Sequence, residues 1–242
     1  MNRFPWRSLI AGFILLLLLT GSGCSTAVPP TTTPAPSATL PADSSAAGRQ
    51  SDWRPFHFQP GQEFTYAIRY QPAGQAEQSG TFVLNVTEAG AGKVKADWQG
   101  SLGSEHFAAS TIAAPDQIAP NMLTGMVRNP AAAPVYFTLF HPWMGMGIWA
   151  LALGSGNLEV GSKWSQTRSG HSYAFEVVEK RSYAGAEGYL LRSREDDHLQ
   201  SEVCIAPQLP FALMARWEEN GNTYYSELTA YRGPQAKSAG GQ

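Results

Sequence analysis

Asn220-Gly221 stands between two stretches of alternating apolar and polar residues, Phe211 to Trp217 and Tyr224 to Tyr231. Both turn residues tolerate the positive φ of a type I′ turn, so the pattern predicts a β-hairpin. A period of two puts Phe211, Leu213, Ala215 and Trp217 on one face, with Ala212, Met214, Arg216 and Glu218 on the other. The same period recurs upstream in Phe64, Tyr66, Ile68 and Tyr70, in Phe82, Leu84 and Val86, in Val94, Ala96 and Trp98, and over 105–112. Turn signals at Pro60-Gly61, 72–80, 89–92 and 100–104 separate these runs into a meander of four strands. Beyond Gly161 the pattern resumes over 163–168, in Tyr173, Phe175 and Val177, over 189–194, and in Val203 and Ile205. The predicted class is mainly β: a large antiparallel curved sheet or unclosed β-barrel. A faint echo links Pro60-Gly-Gln-Glu-Phe64 with Val160-Gly-Ser-Lys-Trp164, which reads either as a duplication or as two similar strand starts.

The middle of the chain breaks the period. Residues 113–133 are rich in Pro and Ala without a clear repeat, and 129–158 contain no Asp, Glu, Lys or Arg. Phe140, Trp143 and Met144, followed by Ile148 and Leu151, have helical spacing, which predicts a helix over 143–153 ended by Gly154-Ser-Gly156. Burial of a large apolar side chain contributes about 1.5–3 kcal/mol, so this segment is expected to pack on the concave face of the sheet. Phe137, Phe140, Trp143, Met144, Met146 and Trp149 are the candidates for lining or lidding a hydrophobic site. A second membrane span fits poorly, because Pro134, Pro142, Gly145 and Gly147 interrupt the segment.

The first residues give an address. Arg3 and Arg7 precede an uncharged apolar run, Leu9 to Leu19, which is too short to cross a bilayer as a helix and fits a signal peptide over 1–23. Small residues then lead into Cys24 and resemble the lipobox of bacterial lipoproteins, although Gly21 stands where that pattern prefers Leu. The resemblance implies acylation of Cys24. Ser25 after it, in place of an inner-membrane-retaining Asp, implies the outer membrane of a Gram-negative envelope, with the domain facing the periplasm. Each buried CH₂ contributes about 0.8 kcal/mol, so several acyl chains anchor stably. Residues 24–51 then form a lipidated Pro/Thr/Ser/Ala tether with too few apolar residues to fold. A single β domain is expected over 52–232, with a small polar tail over 233–242.

Charge and chemistry narrow the function further. The formal charge is −2, and loss of Arg3 and Arg7 leaves 15 − 19 = −4, so no nucleic-acid partner is expected. Acylation of Cys24 would leave Cys204 without a disulfide partner, a passive and partly buried thiol. Gly145-Met-Gly147-Ile-Trp-Ala150 lacks the surrounding βαβ context of a dinucleotide site, and His141, Met144 and Met146 read as core in preference to a copper clamp. Glu195-Asp-Asp-His198 reads as a solvated hairpin tip, and His57, His106 and His171 are scattered singly. No cofactor or metal is expected. No catalytic residue is expected either, a dispersed hydrolase site being the third reading of the chain.

Phe58-x-Pro-Gly-x-Glu-Phe-x-Tyr66, Val160-Gly-x-x-Trp164, Val203-Cys-Ile-Ala-Pro207 leading to Leu209-Pro-Phe211, and Glu227-Leu-x-x-Tyr231 resemble a broad family of periplasmic β domains. Those domains are similar to the LolA/LolB-type lipoprotein carriers, unclosed β-barrels that hold an acyl chain under a helical lid. The resemblance implies a fold and brings no catalytic residues. The expected protein is therefore a non-catalytic outer-membrane lipoprotein binding an apolar ligand or a lipid moiety. The alternative is an envelope scaffold or assembly partner with a fully packed core.

Overall fold

Alternation decides which side of each strand is buried: in the first strand Phe64, Tyr66 and Ile68 are at most 1% exposed while Arg69 is open to solvent. The structure is a computed structural model that describes residues 57–129, 132–144, 158–168 and 170–234, all within one compact unit, Ala47–Gln242. In chain order its elements are β1 (Glu63–Gln71), β2 (Gln78–Gly90), β3 (Lys93–Leu102), β4 (Glu105–Ala113), α1 (Ile118–Arg128) and α2 (Ala133–Met144). They are followed by β5 (Lys163–Arg168), β6 (His171–Tyr183), β7 (Ala186–Glu195), β8 (His198–Ile205), β9 (Met214–Glu219) and β10 (Asn222–Arg232). The strands form one sheet in the order β4-β3-β2-β1-β10-β9-β8-β7-β6-β5, with every neighbouring pair antiparallel. The first and last strands therefore pair inside the sheet, fourth and fifth in its order. β4 and β5 remain as edges, so the sheet is open, in agreement with the mainly β, unclosed architecture expected from the sequence.

Tight turns set the register. Asn220 and Gly221 have φ of 51° and 76°, the left-handed pair of a type I′ hairpin. Asp196-Asp197 (47° and 67°) and Ala184-Gly185 (48° and 79°) repeat that geometry between β7 and β8 and between β6 and β7. The echo between the two halves is also structural: Gly61 N–H donates to Val86 O and Gly161 N–H to Val177 O, both at 2.7 Å. In return Val86 N–H donates to Gln62 O and Val177 N–H to Ser162 O, both at 2.9 Å.

The helices depart from the sequence expectation. α1 occupies part of 113–133, where no period was expected, and buries Ile118, Ala119 and Met122. Pro120 obscured it, yet proline within the first helical turn removes only an N–H that would lack an intrahelical partner. α2 begins at Ala133 in place of Trp143, again with a proline, Pro134, in its first turn. The helix expected over 143–153 thus coincides with it only at Trp143 and Met144, and 145–153 lie outside the described residues. Val135, Tyr136, Thr138, Leu139 and Phe140 are all at most 3% exposed, the pattern of a helix buried around most of its circumference. Thr138 meets its own polar need by donating to Pro134 O at 2.7 Å.

One apolar cluster joins the helices to β1–β4 and β10, with Phe64, Phe82, Trp98, Phe107 and Leu228 from the strands and Ile118, Met122, Tyr136 and Phe140 from the helices. A second, Phe175, Val177, Leu191, Val203, Ile205 and Ala215, spans β6–β9. Strand pairing places Val177, Leu191, Val203 and Ala215 in one row across the sheet. Leu190, Cys204 and Met214 form the adjacent row on the opposite face, so at these rows the sheet is buried on both sides. The alternation expected over 211–217 begins only at Met214, because Phe211 to Leu213 precede β9 and join the core as an irregular segment. Gly188 makes room for that segment: a Cβ there would lie 2.6 Å from Ile205 O and 2.8 Å from Leu213 Cδ1.

Candidate apolar site

The hairpin register brings the site together. In a two-residue hairpin centred on Asn220-Gly221, Trp217 and Tyr224 are opposite one another, and their rings stack with centroids 3.8 Å apart and planes 4° apart. Tyr70, opposite Tyr224 on β1, extends the stack at 5.0 Å. Phe137 of α2 stands edge-on to both central rings, 5.1 Å from Trp217 and 5.4 Å from Tyr224. Such T-shaped and stacked contacts add about 0.5–1.5 kcal/mol per pair to simple burial. Trp217 and Tyr224 are buried, whereas Phe137 and Tyr70 are half-buried and lead outward.

Burial disfavours charge at this patch. Burial raises the Tyr224 phenol above its ordinary value, reinforced by Tyr70 and Glu219, and burial likewise raises Tyr70. The Glu219 carboxyl is also raised by burial. A low-dielectric aromatic surface without ionised phenols suits hydrocarbon better than a polar substrate.

The structure separates the sequence candidates. Phe137 lies at the aromatic stack, while Phe140 is fully buried against Tyr136 and Phe211 and serves as core. Phe211 is in turn enclosed by Phe58, Phe64 and Tyr66, and Tyr66 Oη donates to Ala212 O at 3.0 Å. Trp143 and Met144 form the last turn of α2, and their side chains are outside the described residues, as are Met146, Trp149 and Cys24. The stretches considered for copper and for a dinucleotide also fall largely there. Trp217, Tyr224 and Tyr70 entered the sequence reading as strand positions and not as site residues. The first two are equidistant from the Asn-Gly turn and could have been paired by counting outward, whereas the Tyr70 contact depends on the pairing of β1 with β10.

Cys204 is fully buried, beyond the partial burial expected, and its thiol is pushed up to about 12, chiefly by desolvation. Glu195-Asp-Asp-His198 does form the tip of the β7–β8 hairpin. His171, expected to stand alone, is carried to that tip by strand pairing, with Nδ1 2.7 Å from Asp196 Oδ2. No helix among the described residues is long and apolar enough to cross a membrane.

Together the fold and site define a mainly β domain with an apolar helix laid against an aromatic sheet face. No protein-family model and no curated protein matches the chain. Among solved structures it is similar to MucB, with 10% identity over 81% of this chain and a TM-score of 0.36. The chain spans 62% of that MucB chain, and 55% of the one solved in complex with MucA(peri). It is also similar to a Bacteroides fragilis protein with a YmcC-like fold, with 8% identity, coverage of 75% of this chain and 100% of the other, and a TM-score of 0.34. A LolA-superfamily protein from Nitrosomonas europaea matches with 8% identity, coverage of 77% and 91%, and a TM-score of 0.24.

Proposed function

We propose that the chain is a non-catalytic lipoprotein of the Gram-negative outer membrane, anchored through acylated Cys24, with its β domain in the periplasm. The domain binds an apolar ligand, or the lipid moiety of a protein, against Phe137, Trp217, Tyr224 and Tyr70. The observation that carries this reading is the aromatic stack itself, four rings brought together from α2, β1, β9 and β10 with the two outer rings only half-buried. Hydrocarbon would gain the ordinary burial free energy there, about 25 cal/mol per Å² of apolar surface.

Purified full-length chain should release a lipid on organic extraction and bind a fluorescent fatty acid saturably. Phe137→Ser should weaken that binding at least five-fold while the far-UV circular dichroism stays the same. Absence of both lipid and saturable binding would remove the proposal. Radiolabelled palmitate should enter the chain and be lost in Cys24→Ala.

The assembly-partner reading is favoured by a different observation. Beneath Tyr136 and Phe140 the interior is filled by Phe58, Phe64, Phe82 and Phe211, each at most 1% exposed. On that reading a specific envelope protein is recovered with the chain, and Phe137→Ser leaves the interaction intact.

A further inference from the structure

We propose that the β7–β8 hairpin tip and the start of β6 form a surface site for a divalent transition-metal ion of the zinc type, ligated by His171 Nδ1, Glu195 and Asp196. The three donor atoms lie within 4.8 Å of one another, with His171 Nδ1 2.7 Å from Asp196 Oδ2 and 3.5 Å from Glu195 Oε1. Zinc holds nitrogen and oxygen donors at about 2.0–2.2 Å, which places tetrahedral donors roughly 3.4 Å apart. The Glu195 spacing already matches, whereas at Asp196 zinc replaces the proton that Nδ1 donates to Oδ2 in the metal-free chain, with release of that proton to solvent and an opening of less than about 1 Å.

The donors come from the start of β6, the end of β7 and the turn that follows it. Tyr173 and Glu195 are opposite in the β6–β7 register, and Tyr173 Oη donates to Glu195 Oε1 at 3.0 Å. Ser172 N–H donates to Asp196 Oδ1 at 2.9 Å, which leaves Oδ2 for the ion, while Asp196 N–H donates back to Ser172 O at 2.9 Å. Orientation of ligands by such outer partners is how metal sites are tuned. Water completes the coordination beyond these three side chains. One imidazole beside two carboxylates is a borderline-soft set that selects zinc over magnesium, which prefers oxygen ligands and retains its waters.

The test uses tag-free full-length chain in detergent micelles, titrated with ZnCl₂ and separately with MgCl₂. Calorimetry should give one zinc site in the micromolar range, a Tm raised by at least 2 °C at saturation, and no response to magnesium at the same concentration. His171→Ala and Asp196→Asn, both at exposed positions, should each weaken zinc at least ten-fold and leave the metal-free Tm within about 2 °C of the parent. Absence of a zinc response in the parent chain overturns the proposal. So does a zinc site of undiminished affinity in both variants, because the ion then binds elsewhere.

Discussion

Trp98 on β3 and Tyr136 on α2, 38 residues apart in the chain, are joined by a buried hydrogen bond from indole Nε1 to the phenol oxygen. It fixes the rotation of α2 against the sheet and therefore helps decide which of its rings faces the core. Tyr136→Phe keeps the ring and removes the acceptor, leaving the indole N–H without it in a buried site. A loss of about 1–3 kcal/mol is expected, read as a lower denaturation midpoint with an unchanged m-value. An unchanged midpoint would show that the bond does not orient the helix.

Phe137 and Phe140 lie one turn apart on α2 and should respond differently. Phe140 is fully buried between Tyr136 and Phe211, so Phe140→Ala is expected to cost about 3–5 kcal/mol. Half-buried Phe137 meets only one side of the stack, so Phe137→Ala should cost less than about 2 kcal/mol and act mainly on binding. Urea unfolding of the two variants side by side checks this, and equal losses would contradict the division of roles.

Ala184 occupies the first position of a type I′ turn at φ 48°, where a Cβ is unfavourable. Asn adopts that conformation more readily, as Asn220 does in the corresponding turn at φ 51°. Ala184→Asn is therefore expected to stabilise by about 0.5–1 kcal/mol, visible as a Tm rise of about 1–4 °C. A fall in Tm would contradict the reading.

Alkaline pH should unfold the domain. Desolvation raises the Cys204 thiol from 9.0 to about 12 and, with the Glu227 carboxylate, raises the Tyr225 phenol from 10.0 to about 12. Below the ordinary values both folded and unfolded chains hold these protons, and the groups contribute no pH dependence. Above them the unfolded chain releases protons first and binds fewer than the folded one, so stability falls as pH rises. Tm should drop from about pH 9 upward, and Cys204→Ala should lessen the drop between pH 9 and 11. Thiol reagents should leave Cys204 unmodified at pH 8 until the chain unfolds.

The strands were legible because apolar residues at period two have one buried solution in a sheet, as Phe64, Tyr66 and Ile68 show. The turns were legible because Asn220-Gly221 has few alternative conformations. An apolar helix against the sheet was legible in the uncharged middle of the chain, but its start at Ala133 and the whole of α1 were not, because Pro- and Ala-rich sequence hides a helical period although Pro120 and Pro134 both stand in first turns, where proline costs little. Half of the apolar site could be reached by counting outward from the turn to Trp217 and Tyr224. Its closure by Tyr70 required knowledge that β1 pairs with β10, a contact between the two ends of the domain that local periodicity does not encode. The clustering of His171 with Asp196 depends in the same way on the β6–β7 pairing.

The central claim is that hydrocarbon lies against the Phe137–Trp217–Tyr224 rings, and the most direct measurement is photo-crosslinking with a diazirine-bearing fatty acid followed by peptide mapping. Adducts should concentrate on the peptides carrying Phe137, Tyr70 and 214–224, and excess unlabelled fatty acid should compete them away. Labelling that is spread over the exposed strands, or that does not respond to competitor, would contradict it.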